Sequence, residues 1–163
     1  MPANGDRNGL RKPSERLETL GILLPTPPTP LGNYVETALA GSLLYTSGIL
    51  PFVGGKLLFT GRLGADLTVE QGQEATRCAA LNALAAASHF LGDVDRIQNV
   101  VRVGIALATT EAFTQHAAVA DGASDLLAQI FGKEPGHTRL VVGASSLPVR
   151  TPVVLDVVFE VAA

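Results

Sequence analysis

The chain has no tryptophan, a single cysteine, and aromatic residues at only 5% of its 163 positions. One cysteine, Cys78, excludes an internal disulfide. Its place in an Ala-rich stretch makes a buried, inert thiol the expectation, rather than a nucleophile. Scarce aromatics leave little for bases to stack on. The formal net charge of −3 leaves no basic stripe to track a phosphate backbone, so no nucleic-acid partner is expected. The basic residues gather mainly near the start, at Arg7, Arg11, Lys12 and Arg16. Apolar runs long enough to cross a bilayer are also missing. The longest helical stretch, Thr68 to Leu91, is interrupted by Glu70, Glu74, Arg77, Asn82 and His89, so no membrane partner is expected either. Met1 to Lys12 is polar and lacks the pattern of a secretory leader, so a soluble cytoplasmic protein is expected.

What is present is a 47% hydrophobic share, enough for one domain with a real core. Residues 1–13 read as a flexible leader and 14–163 as a single domain. Ser14 to Gly21 fits a short helix, capped by Ser14 and ended by Gly21. Four prolines in Leu24-Pro25-Thr26-Pro27-Pro28-Thr29-Pro30 impose an extended path leading into the fold. Strands are predicted over Tyr34–Ala40 and Ser42–Gly48, and a Gly54-Gly55 hairpin turn precedes a third at Lys56–Thr60. Thr68-Val69-Glu70-Gln71 is a capping box that opens a helix running to about Leu91 and stopping at Gly92. Its small residues Ala75, Ala79, Ala83, Ala86 and Ala87 allow close approach to a sheet. A long strand follows at Ile97–Ala108. A second amphipathic helix spans 121–131, with Ala123, Leu126, Leu127 and Ile130 on its apolar face. Strands at Arg139–Ala144 and Val153–Val161 complete the order β-β-β-α-β-α-β-β. This is an α+β fold, a mixed sheet covered by two helices.

Candidate chemistry is sparse. His89, His116 and His137 are far apart and lack helical ligand spacing, so no metal site is expected. Gly61-Arg62-Leu63-Gly64 matches no phosphate or dinucleotide loop, and no motif implies a cofactor. Ser47 ends a strand without a nucleophile elbow around it. His137 reads either as a solvated loop histidine or as a neighbour of a ligand. Arg139 stands out, because it heads an otherwise apolar strand, Leu140-Val141-Val142-Gly143-Ala144. Burying a guanidinium unpaired costs several kcal/mol, so it must reach solvent or hold an anion. Its planar donor fork suits a small carboxylate. The alternative is a structural pair with Asp156, if the last two strands are antiparallel neighbours. Alternation puts Arg139, Val141 and Gly143 on one face and Leu140, Val142 and Ala144 on the other.

Four segments resemble the Rid family (reactive intermediate deaminases, also called YjgF or L-PSP endoribonuclease-like proteins). They are Gly32-Asn33-Tyr34, Leu44-Tyr45-Thr46-Ser47-Gly48-Ile49-Leu50-Pro51, Gly92-Asp93-Val94-Asp95-Arg96-Ile97, and Thr138-Arg139-Leu140-Val141-Val142-Gly143 with Leu147-Pro148. The resemblance covers roughly residues 20–162. It implies a chorismate-mutase-like fold and a homotrimer around a central barrel of sheets. Clefts between subunits would bind small carboxylates, and active members hydrolyse enamines or imines to keto acids and ammonia. By the same resemblance Arg139 grips the substrate carboxylate, while Tyr34, Ser47 and Gly48 line the cleft. Val141 stands where the family has a cysteine, and the family asparagine before the second helix has no clean counterpart, Ser124 being the nearest residue. The family glutamate that positions water falls on Val154, which can neither orient water nor carry a proton. Asp156, on the same face two residues on, and His137 are the remaining catalytic candidates. Residues around 115–122 form an insertion that marks a longer subgroup. A non-catalytic ligand sensor is the alternative function, and RNA cleavage is disfavoured by charge and composition.

Overall fold

Residues 11–163 are described by the computed structural model. The reciprocal cap read from Thr68 and Gln71 is present. Gln71 N donates to Thr68 Oγ1 at 3.1 Å, and Thr68 N donates to Gln71 Oε1 at 2.9 Å. It opens helix α2, Val69–Leu91, which ends at Gly92 in the left-handed conformation (φ 79°). A shorter helix, α1, spans Pro13–Thr19. Ser14 is inside α1 rather than capping it. Its amide and hydroxyl instead donate to the Asp95 carboxylate at 2.9 and 2.7 Å, which ties α1 to the segment after α2. Most of the predicted leader, residues 1–10, lies outside the described residues, and Pro13 already belongs to α1.

The strands are β1 (Thr37–Ala40), β2 (Leu43–Thr46), β3 (Phe52–Val53), β4 (Lys56–Leu57), β5 (Ile97–Ala108), β6 (Thr138–Ala144) and β7 (Val153–Val161). Helix α3, His116–Phe131, separates β5 from β6. It begins five residues before the predicted start, so most of the supposed insertion forms its first turns. β3 and β4 pair only with each other, across the Gly54-Gly55 turn. The main sheet has the order β1-β2-β7-β5-β6.

That order corrects one expectation. β6 and β7 are not neighbours. β6 runs parallel to β5 at the sheet edge, and β7 lies between β2 and β5, antiparallel to both. The α3 crossover puts β6 beside β5 in parallel, as βαβ connections do. β7 then takes the remaining inner edge, where Val153, Leu155, Val157 and Phe159 are buried.

α2 and α3 cover one face of the sheet. Ala75, Ala79, Ala83 and Ala87 of α2 are fully buried there beside Leu84, Phe159 and Leu107. The two helices approach so closely that a Cβ at Gly122 would overlap the Gln73 carbonyl. Thr76 Oγ1 donates to Val119 O at 2.9 Å and Gln73 Nε2 to Ala118 O at 2.9 Å, satisfying polar groups within that contact. No helix among the described residues covers the other face. Leu140 and Val142 of β6 are 54% and 46% exposed there, and Tyr45 of β2 is 44% exposed.

Candidate functional site

Strand alternation turns Arg139 and Val141 toward the helices, where both are partly buried. α3 supplies their surroundings. Asp121 and Ser124 are one turn apart and share a helix face. Arg139 Nη1 donates to Asp121 Oδ1 at 2.7 Å and to Ser124 Oγ at 3.1 Å. Ser124 Oγ in turn lies 3.0 Å from His137 Nε2. His137 is shifted below its usual range, first by burial and then by the Arg139 charge. A histidine held neutral offers a ring nitrogen as acceptor. With Arg139 donating into the serine oxygen, the consistent polarity is Arg139 to Ser124 to His137, leaving the imidazole as the proton-accepting end.

Both Arg139 contacts use Nη1; Nε and Nη2 make no hydrogen bond among the described residues. The Arg139 side chain is 24% exposed and that of Asp121 52%. A carboxylate at Asp121 already occupies one edge of the guanidinium, and the fork can accept another. Further along the strand, His116 packs over Gly143: a Cβ there would lie 2.7 Å from its Nε2. The floor beyond Val141 is therefore an imidazole over glycine, not open space.

Asp156 does not pair with Arg139. Its Oδ1 accepts from Arg102 Nη1 at 2.9 Å, on the uncovered face of the sheet. The expected pair presupposed adjacent β6 and β7; with β5 between them, Arg102 of β5 is the near cation. Asp156 and Arg139 also point to opposite faces, so Asp156 is not in the Arg139 cluster.

The remaining predicted residues lie at the other edge of the sheet. Tyr34 precedes β1, and its hydroxyl accepts from Leu31 N at 3.0 Å. Ser47 Oγ donates to Val35 O at 2.5 Å, and Ser47 N to Glu36 O at 2.8 Å, which extends the β1–β2 ladder past its last named pair. Gly48 has a steric reason to be glycine: a Cβ would stand 2.6 Å from Val154 Cγ1. Four strand spacings of about 4.8 Å separate β1 from β6, so Tyr34 stands about 19 Å from Arg139 across the sheet of one chain, and Ser47 and Gly48, which follow β2, about 14 Å. One subunit brings together Arg139, Ser124, His137 and Val141. It does not bring Tyr34, Ser47 or Gly48 to them.

Three functional-looking groups escaped the sequence reading. Asp121 carried a legible signal, its i, i+3 spacing to Ser124. Arg102 had none beyond strand alternation. Glu36, just before β1, has its Oε2 buried with no hydrogen-bond partner among the described residues, and burial pushes its carboxyl above the usual range. The Cys78 thiol is pushed up to about 11, chiefly by burial, and is protonated at neutral pH. Among the described residues no group of three or more His, Cys, Asp or Glu could hold a metal ion.

The model of the YjgF/chorismate mutase-like endoribonuclease family matches residues 14–161. The chain belongs to this family. Protein TCP17 of Trypanosoma cruzi is 42% identical over 147 residues, covering 88% of this chain and 91% of that protein. Two solved structures are similarly near. One, from Shewanella oneidensis and carrying an endoribonuclease label, is 37% identical with a TM-score of 0.88, over 93% of this chain and all of that one. The other, Atu1372 of Agrobacterium tumefaciens, described as of unknown function, is 36% identical with a TM-score of 0.84, over 92% of each chain. At 18% identity and a TM-score of 0.59, Escherichia coli TdcF with bound serine shares the fold; the match covers 84% of this chain and 94% of that one. The α+β, chorismate-mutase-like architecture expected of the YjgF family is thereby established for this chain. No helix among the described residues is long and apolar enough to cross a membrane.

Proposed function

We propose that this protein binds a small 2-imino or 2-keto carboxylate through Arg139, in a cleft completed by a second copy of the chain within a homotrimer, and hydrolyses the imine to keto acid and ammonia. The observation that carries this reading is the Arg139 guanidinium, held by Asp121 and Ser124 through one nitrogen and otherwise without partners among the described residues. A bidentate carboxylate is the ligand its free edge fits best. The relative solved with bound serine, an amino-acid carboxylate, is in keeping with that ligand class. His137, neutral and joined to Arg139 through Ser124, offers a proton acceptor beside the bound carboxylate.

Two observations support assembly. One sheet face is left apolar and bare, a surface that needs covering. The residues that the family resemblance gathers in one cleft stand at opposite sheet edges. A head-to-tail ring would join the β1 edge of one copy to the β6 edge of the next and bury that bare face inside.

A second reading, a non-catalytic sensor of the same ligands, is supported by the resemblance, which puts Val154 at the family's water-positioning place. Ammonia release from amino-acid-derived imines, with calorimetric binding of 2-oxobutanoate, separates the two. Arg139→Ala should weaken binding roughly 30-fold or more and abolish turnover. Equal binding by wild type and variant would sink the carboxylate site; binding without turnover would establish the sensor.

A further inference from the structure

We propose that Glu36 is the acid–base carboxylate of this site, delivered from the β1 edge of one copy to the ligand held by Arg139 of the next. This rests on the carboxylate-binding reading above and adds the proton-transfer group that Val154 cannot be.

The first argument is the burial of Glu36. The residue as a whole is only partly buried, yet Oε2 is sealed from solvent and makes no hydrogen bond among the described residues. An oxygen of a carboxylate left desolvated and unpaired is costly, and such groups cluster at functional sites. Desolvation also moves its carboxyl upward, toward the range in which a carboxylic acid can both take and return a proton. No salt bridge among the described residues uses Glu36; the two that exist join Arg102 to Asp156 and Arg139 to Asp121.

The second argument is placement. Glu36 is fixed by the sheet, because its carbonyl accepts from Ser47 N while the preceding carbonyl, Val35 O, accepts from Ser47 Oγ. Ser47 and Gly48 follow on the partner strand, and Gly48 abuts Val154. The Glu36 backbone therefore stands two residues after Tyr34 and opposite Ser47, at the outer edge that a ring would set against β6.

The chemistry balances with water as the only co-reactant. Water attacks the iminium carbon, forming a C–O bond while the C=N π pair moves to nitrogen, and Glu36 takes the proton that water loses. The resulting carbinolamine accepts that proton back on nitrogen. The C–N bond breaks with its electron pair leaving on ammonia, and the hydroxyl proton departs to solvent as the carbonyl forms.

The test compares Glu36→Gln with wild type in three measurements: sedimentation, calorimetric binding of 2-oxobutanoate, and ammonia release from amino-acid-derived imines. Glu36→Gln should assemble as wild type does, bind within about threefold, and lose turnover at least ~100-fold. Unchanged turnover overturns the proposal and leaves the carboxylate site standing, as does a wild type that binds without turnover. A wild type that does not bind overturns both. If Glu36→Gln fails to assemble, Glu36→Asp, which keeps the charge but withdraws it by one methylene, should assemble and turn over roughly tenfold more slowly; full activity there overturns the proposal.

Discussion

The two faces of the five-stranded sheet are made by the same strands and meet opposite fates. On one, Phe159, Leu107, Val103 and Leu155 lie under two helices and are wholly buried. On the other, Leu140, Val142 and Tyr45 stand in solvent around the Arg102–Asp156 pair. Each face also carries one arginine–aspartate pair. The covered face keeps Arg139 partly buried in a network with Ser124 and His137. The bare face leaves Arg102 and Asp156 half exposed, where an ion pair contributes only about 0.2–1 kcal/mol. Similar chemistry thus becomes a candidate ligand anchor on one side and a weak surface pair on the other. Burial, not residue type, makes that difference.

The sharpest way to break this contrast is to open the covered face. Phe159 is fully buried and packs against Phe131 at a ring-centroid distance of 6.3 Å. Phe159→Ala should lower the unfolding free energy by about 3–5 kcal/mol, read by urea denaturation. Placing a charge on the bare face should do something different. Val142→Asp should leave the far-UV circular dichroism unchanged while reducing the sedimenting mass to that of one chain. Unaltered mass would show that copies do not meet on this face.

The smallest effect should come from pH. The His137 pKa is lowered in the folded protein, so on acidification the unfolded chain takes up its proton first. Its contribution is fully present above the unfolded value, 6.5, and is lost as pH falls through that value toward the folded one. Unfolding curves between pH 7.5 and 5.5 should show wild type losing stability on acidification, and His137→Gln losing less. Parallel losses would mean that His137 is not held neutral by its surroundings.

Local chemistry was readable along the chain. The Thr68–Gln71 cap, the stop at Gly92, the Gly54-Gly55 hairpin and the buried alanines of α2 depend on neighbours within a few residues, and all were expected. Arg139 was also legible, because a charge heading an apolar strand is conspicuous without a structure. The start of α3 was placed late, since Val119 and Ala120 complete the buried apolar face of Ala123, Leu126, Leu127 and Ile130 just after the polar Gln115 and His116. The partner of Asp156 was misplaced for a longer-range reason: it depends on which strand lies beside β7.

By itself, then, the sequence determined most of the elements, their apolar faces and the conspicuous arginine at the head of β6, because these follow from side-chain periodicity and short-range hydrogen bonding. Only the tertiary structure decided which charges meet. It paired Arg139 with Asp121 instead of Asp156, drew Ser124 and His137 together, and sealed a Glu36 oxygen away from any partner among the described residues. Strand order sets those encounters. It is fixed by how the crossover packs β6 against β5 and by where β7 can pair along both of its edges, and no local pattern records it.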